Sequence, residues 1–332
     1  MQFYFPHASS RQWNDWQARI QVYNGDVTNK YFGLHPNVFN LLGQRVDSVI
    51  HAAALVKHYG YYEDFYRANV QGTKQVVEFC MDYAIPLHHV STTSVAGSIS
   101  AEQLDSSSFT ENSFYIGQNY CDNLYIRSKF EAEGMIYEEM ENGLQATVYR
   151  VGNLTGRYSD GAFQENMDEN MFYNRLKSFI QIGVVVPEML EQTEEFTPVD
   201  SCSRAIVQIA STKEASGRVF HIFNPRLATY ELISHAVQEA GYPMKRLSGA
   251  EAAQHVEEIM KDESRNELLS GFMADKLEAD ANEQQINIEV SAPLTLHYLG
   301  QLGFEYPEAD TNYIKRLVNY MYKKNLLQDS LI

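Results

Sequence analysis

The residues best suited to chemistry lie in "LYIRSKFEAEG", residues 124–134, where Tyr125 and Lys129 stand four positions apart. On a helix that spacing puts both side chains on one face, one turn apart. A free tyrosine titrates near ~10, and a positive charge close by favours its phenolate, so such a pair can exchange a proton more readily. The spacing alone does not choose between that role and a solvated helix face, because "YMYKK" repeats it at Tyr320 and Lys324. A group of hydroxyls precedes the pair in "VSTTSVAG" (90–97), at Ser91, Thr92, Thr93 and Ser94. A hydroxyl there can share a developing oxyanion with a phenol. There is no G-x-S-x-G elbow to make one of them a nucleophile. Neither an H-E-x-x-H motif nor a Cys/His cluster suggests a metal.

Such residues need elements to hold them. Short apolar runs alternate with longer helical stretches, the signature of βαβ units and a parallel sheet. "ARIQVYNGDV" (18–27) and "VDSVIHAAALV" (46–56) read as strands, the second apolar enough to be covered on both faces. "DFYRANVQGTKQVVEFCMDYA" (64–84) has a helical period, and "PLHHVSTTSVAG" (86–97) is the next strand. A helix over residues 120–142 ends at "ENG", and "LQATVYRVGNLTG" (144–156) is a strand running into a glycine-punctuated loop. A polar loop and helix (157–183) precede a last short strand, "FHIFNP" (220–225). The expected fold is α/β: a Rossmann-like doubly wound parallel sheet over residues 1–225, with a smaller, mostly helical lobe over 226–332. Ligands of an open parallel sheet sit beyond the carboxyl ends of its strands. Asp26, His51–Ala54, the 91–94 hydroxyls and Gly152–Asn153 all fall there.

Bulk properties narrow the function classes. The chain of 332 residues, with 44% hydrophobic and 12% aromatic content, is that of a folded globular protein. A formal net charge of −17 argues against nucleic-acid binding, which needs a basic face. Lys315, Arg316, Lys323 and Lys324 still make a local basic cluster. Cys80, Cys121 and Cys202 are far apart, without a CxxC pair, so neither a disulfide framework nor a zinc site is expected. "MQFYFPHASSRQWNDW" lacks the features of a signal peptide, and no stretch approaches the ~20 apolar residues of a membrane span. A cytoplasmic protein with no membrane partner is expected.

The ordered set "GDVT" (25–28), "HAAALV" (51–56), "ANVQGT" (68–73), "VSTTSVAG" (90–97), "YIRSK" (125–129) and "YRVGNLTG" (149–156) resembles the extended short-chain dehydrogenase/reductase family. Within it, the chain is most similar to the thioester reductase domains that end some non-ribosomal peptide and polyketide synthetases. "GNLTG" followed by "FIQIG" (179–183) separates this branch from sugar-nucleotide epimerases.

The resemblance implies roles residue by residue. Tyr125 would donate the proton, Thr92 would share the oxyanion, and Lys129 would tune Tyr125 and bind the nicotinamide ribose. Thr93 and Ser91 compete with Thr92 for its role. Asp26 would accept from the adenine amino group or cap its own turn. Ala52, Ala53 and Ala54 would let the cofactor pass close to the main chain. Asn69 is assigned to the cofactor site, more through support of buried main chain than through contact. Gly152 and Asn153 would line the nicotinamide pocket or shape the loop.

The implied activity is reductive release of an acyl or peptidyl thioester, held on a carrier protein's phosphopantetheine arm, to an aldehyde or onward to an alcohol. The C-terminal lobe would shape the acyl channel and meet the carrier, with the basic cluster as a contact. NADPH is the implied cofactor, and residues choosing it over NADH are not in this chain. Family members also carry a glycine-rich turn for the pyrophosphate. Nothing of the kind is here, and a segment of ~60–70 residues is expected upstream in a longer polypeptide. Two other readings stand beside this one: a different extended short-chain enzyme, such as a fatty acyl reductase or epimerase, and a non-catalytic interaction domain without its cofactor grip.

Overall fold

The computed structural model describes residues 5, 8–57, 60–100, 108–261 and 285–327. Its central sheet holds four parallel strands, in the order β1 (Val49–His51), β2 (Leu87–Thr92), β3 (Ala146–Val151) and β4 (Val219–Ile222). The longer helices are α1 (Ser10–Arg19), α2 (Pro36–Gly43), α3 (Gly72–Tyr83), α4 (Leu124–Glu141), α5 (Met171–Ile182), α6 (Val199–Ala210), α7 (Tyr230–Glu239), α8 (Gly249–Met260), α9 (Pro293–Gln301) and α10 (Thr311–Lys323). None of the helices among the described residues is long and apolar enough to cross a membrane.

Every residue of β3, "ATVYRV", is buried, as a parallel strand covered on both faces must be. Strand alternation decides which way each side chain points. Ala146 and Val148 join Leu87, Val76, Phe79 and Ile136 in a core beneath α3 and α4. Tyr149 and Val151 point the other way and pack with Ile206, Phe220, Ile222 and Leu299 beneath α6 and α9. The register pairs Thr92 of β2 with Val151 of β3, so the carboxyl ends of the two central strands lie side by side.

Two expected strands come out differently. Residues 18–27 form no strand: α1 runs to Arg19, and residues 20–26 have no ladder partner. A strand exists through hydrogen bonds to a neighbour, and among the described residues none lies alongside; Val22 is 84% exposed. The 46–56 run yields only the three residues of β1, at the edge of the sheet. With a neighbour on one side only among the described residues, it leaves Ile50 half exposed, not covered on both faces.

A second core is built where α5, α7 and α10 meet, from Phe172 and Leu176, Ile233 and Val237, and Ile314, Leu317 and Val318. It draws on both sides of residue 225, because the apolar stripe of α5 finds its partner in α7 and α10. Residues 285–287 return to the first body, pairing antiparallel with Ser98–Ser100. Tyr313 of α10 clamps the two cores together. Fully buried, it donates its hydroxyl to Gly156 O at 2.6 Å and lies 2.7 Å from Thr155 Oγ1, in the loop leaving β3. On the other side of that loop, Gly156 N donates to Tyr173 Oη of α5 at 2.7 Å.

Removing the Tyr313 hydroxyl strands a buried carbonyl. Tyr313→Phe is expected to cost ~1–3 kcal/mol, read as a lower urea midpoint at unchanged slope. An unchanged midpoint would mean that the loop is held by packing alone.

Candidate active site

The site is organised by α4. Its cap is Asn123, whose side chain accepts the N–H groups of Tyr125 at 3.0 Å and Ile126 at 3.1 Å. That cap fixes where the helix begins, and Tyr125, Lys129 and Glu133 then follow one another at single-turn intervals.

Glu133 anchors the helix to the sheet. It accepts from Arg150 Nη2 of β3 at 2.8 Å and from Ser91 Oγ of β2, and neither Glu133 nor Arg150 has any exposed side-chain surface. Arg150 also donates to Ser113 O at 2.8 Å and to Tyr137 Oη at 3.0 Å. One turn nearer the helix start, Lys129 is buried and donates to Val90 O at 2.7 Å, with His89 Nε2 at 3.3 Å. An ammonium only donates, so His89 accepts at Nε2 and carries its hydrogen at Nδ1. That Nδ1 is buried with no hydrogen-bond partner among the described residues. Burial lowers the Lys129 pKa to about 8, with the Glu133 charge acting the other way. His89 is kept neutral by its burial and then by Lys129 and His51.

His51, at the end of β1, stands 5.3 Å from His89 between ring centres. Thr73 donates its hydroxyl to Asn69 O at 2.6 Å, so His51 Nε2, 3.0 Å from Thr73 Oγ1, is the donor to it. Burial and then Lys129 lower the His51 pKa to about 4.

The three competing hydroxyls part company here. Ser91 is taken by Glu133, and Thr93 donates to Val151 O at 3.5 Å. Thr92 caps the turn Thr93–Ala96 by accepting from Ser94 N at 3.2 Å, and it lies beside the Tyr125 phenol. Burial pushes the Tyr125 pKa up to about 12, with the Thr92 hydroxyl acting the other way. Lys129 is turned to the strand, and no hydrogen bond joins it to Tyr125 among the described residues. In this geometry burial, rather than Lys129, sets the phenol's hold on its proton.

The remaining expected residues spread along the strand ends. Ala52, Ala53 and Ala54 follow β1 with exposed side chains. Asn69 is buried and spends both side-chain atoms on its own protein, accepting from Leu55 N at 2.7 Å and donating to Leu55 O at 3.0 Å and Ser128 Oγ at 2.8 Å. It thereby staples the Ala52–Ala54 segment to α4 one residue before Lys129, from within a π-helical turn, Tyr66–Gln71. Asp26 is exposed and caps its own turn, accepting from Thr28 N at 2.9 Å and Thr28 Oγ1 at 2.8 Å. These hydrogen bonds hold its carboxyl below the usual pKa. Gly152 and Asn153 lie against Glu195, which accepts from Asn153 N at 2.9 Å and Thr197 Oγ1 at 2.6 Å. A Cβ on Gly152 would run into the Glu195 carboxylate and Phe223, so glycine is required there by the protein's own packing. Burial pushes the Glu195 pKa up to about 7 against those hydrogen bonds.

His89, Glu133, Arg150 and Glu195 were not singled out from the sequence. Glu133 carried a signal, since it extends the Tyr125–Lys129 series by another turn. Glu195 carried none, because only folding brings it to Gly152. The donor set at the end of β2, with the small exposed residues 52–54 beside it, fits a nicotinamide and its ribose: the ring needs open backbone and the ribose needs fixed donors. No glycine-rich strand–turn–helix cradle for a pyrophosphate is built by the described residues.

Residues 4–206 match the family described as Male sterility protein, an NAD-binding family. A linear gramicidin synthase of Brevibacillus parabrevis is 26% identical over 318 residues, covering 95% of this chain but only 6% of that synthase. The thiolation-reductase di-domain of an archaeal non-ribosomal peptide synthetase superposes with a TM-score of 0.83 at 31% identity, over 97% of this chain and 66% of that one. The terminal R domain of the myxalamid PKS-NRPS pathway gives 0.79 at 25% identity, over 96% and 78%. The fold is thus the Rossmann-like fold of such reductase domains.

The buried ammonium yields a pH signature. Lys129 holds its proton less tightly when folded, at about 8, than at the ordinary value of 10.5. Between those values the unfolded chain binds more protons, so stability rises with pH. The penalty for burying the charge, ~3 kcal/mol, is complete below the folded value and gone above the unfolded one. Lys129→Met removes it, so its stability relative to the parent should fall by ~3 kcal/mol on going from pH 7 to pH 10.5. A difference that is flat with pH would mean that the Lys129 ammonium is solvated.

Proposed function

The chain belongs to the Male sterility protein family of NAD-binding proteins, and from that premise we propose that it reduces a carrier-bound acyl or peptidyl thioester to an aldehyde. The observation that carries this reading is the placement of Thr92 and Tyr125 together at the carboxyl end of β2, with buried Lys129 one turn behind. When bound, a nicotinamide cofactor supplies hydride to the thioester carbonyl carbon. Thr92 and Tyr125 then face the carbonyl oxygen as it becomes negative. A phenol with a pKa near 12 is fully protonated at neutral pH, so Tyr125 acts as the acid and passes its proton to that oxygen. The resulting hemithioacetal loses its thiol, which leaves with a proton, and the carbonyl re-forms as an aldehyde. Lys129 supplies fixed positive charge near the oxyanion and the donor for a cofactor ribose. The cofactor in this reading is NADPH.

The partner in this reading is a carrier domain bearing phosphopantetheine, a reading supported by the joining of a thiolation domain to the reductase domain in the archaeal structure. Of the basic cluster on α10, Lys315 is paired with Glu239 at 2.9 Å, and Arg316 donates to Tyr158 O at 2.9 Å. Lys323 and Lys324 are exposed. They are the members of the cluster that face solvent where an acidic carrier can meet them.

Two measurements on the full-length gene product test these assignments. Tyr125→Phe should lower kcat for NADPH-dependent reduction of an acyl-pantetheine thioester by ~10²–10⁴-fold with little change in KM. A loss below tenfold would remove Tyr125 from the proton-donor role, and no turnover by the parent would favour a non-catalytic chain. Reversing charge at Lys323 and Lys324 to Glu should raise KM for the carrier-bound substrate alone. An equal rise for free acyl-pantetheine would put the carrier elsewhere.

A further inference from the structure

A cavity of about 500 Å³ lies between α5, α7 and α8, and none of Thr92, Tyr125 and Lys129 lines it. Folded interiors leave few voids larger than a water molecule, and this volume falls in the range of small-molecule sites. Its wall is apolar and aromatic, with Phe172 and Phe179 on α5, Val184 and Met189 beyond it, and the short side chains of Ala252 and Ala253 on α8.

One polar group on the wall links it to the strand ends. Glu194 lies 3.3 Å from Asn153 Nδ2, 3.4 Å from Arg175 Nη2 and 3.4 Å from Tyr230 Oη, each of which donates to it. Asn153 follows β3 by two residues, and the last residue of β3, Val151, is paired with Thr92. The cavity therefore begins within a few residues of the hydroxyl pair. Glu194 and Arg175, both on its wall, satisfy each other, so neither is left to receive a charged group, and Glu257, the other charged residue on the wall, is exposed to solvent.

We propose that this cavity holds the distal part of the acyl group, and that this part is an uncharged alkyl or aromatic chain lying between the phenyl rings of α5 and the alanines of α8. Its carbonyl end points past Asn153 to Thr92 and Tyr125. The assignment rests on the thioester-reductase reading for the identity of the ligand, and on the cavity alone for its apolar character.

The test fills the cavity in the full-length protein with Ala252→Trp, using decanoyl- and acetyl-pantetheine as substrates. The preference for decanoyl over acetyl in kcat/KM should fall at least tenfold, and calorimetric affinity for decanoyl-pantetheine should fall with it. An unchanged preference and affinity would overturn the assignment. Ala253→Leu, a smaller filler on the same helix, serves if the tryptophan variant does not fold. Should the parent reduce neither thioester, the reductase reading fails, and calorimetry decides the cavity by itself. Decanoyl-pantetheine binding that the variant loses would uphold the apolar site; binding that both retain, or that neither shows, would overturn it.

Discussion

Glu133 and Arg150 form an ion pair with no exposed side-chain surface between the helix that carries Tyr125 and the strand beside Thr92. Two charges taken out of water cost several kcal/mol each, and only close geometry with further hydrogen bonds offsets this. Here the further bonds come from Ser91, Tyr137 and the carbonyl of Ser113. An apolar pair of similar volume would hold α4 to the sheet as firmly. The ion pair also ties the rotation of the helix to the sheet, because its donors and acceptors meet in one direction only. The rotation so chosen is the one that places Tyr125 at the end of β2.

The same face of α4 also explains why its lysine is in an unusual state. Tyr125, Lys129 and Glu133 share one stripe, so anchoring Glu133 in the sheet drags Lys129 below the surface with it. Its ammonium finds a backbone carbonyl and a neutral histidine, and the nearby carboxylate is already committed to Arg150. A lysine in that setting keeps its charge only loosely. His89 and His51 cannot share the charge, because burial beside it holds both neutral.

The second core serves the first through the loop that leaves β3. That loop is gripped from both sides, by Tyr313 and by Tyr173, and its glycines let helices and carboxylates approach the main chain closely. Gly152 was expected to line the nicotinamide pocket or to shape the loop, and the space beside it is occupied by Glu195 and Phe223. Asn69 is similar: it sits among cofactor-side residues, yet both ends of its amide are occupied by Leu55 and Ser128.

Local pattern determined much of this protein. Apolar runs of strand length separated by helical periods were enough for β2, β3, β4 and the helices between them. The order of short motifs was enough to place Thr92 at a strand end and Tyr125 and Lys129 on the helix that follows, and to point to reductase domains. What pattern could not supply were the facts that depend on neighbours. Residues 18–27 have strand composition but no ladder partner among the described residues, and β1 is short because it is an edge. The choice among Ser91, Thr92 and Thr93 rests on strand parity and on where a glutamate forty-two residues away is anchored. The proton affinities of Tyr125, Lys129 and Glu195 follow from burial, which arises only when helices close over the sheet. Chemistry type is a property of residues and spacing, whereas protonation and direction are set by what surrounds a group, and that exists only after folding.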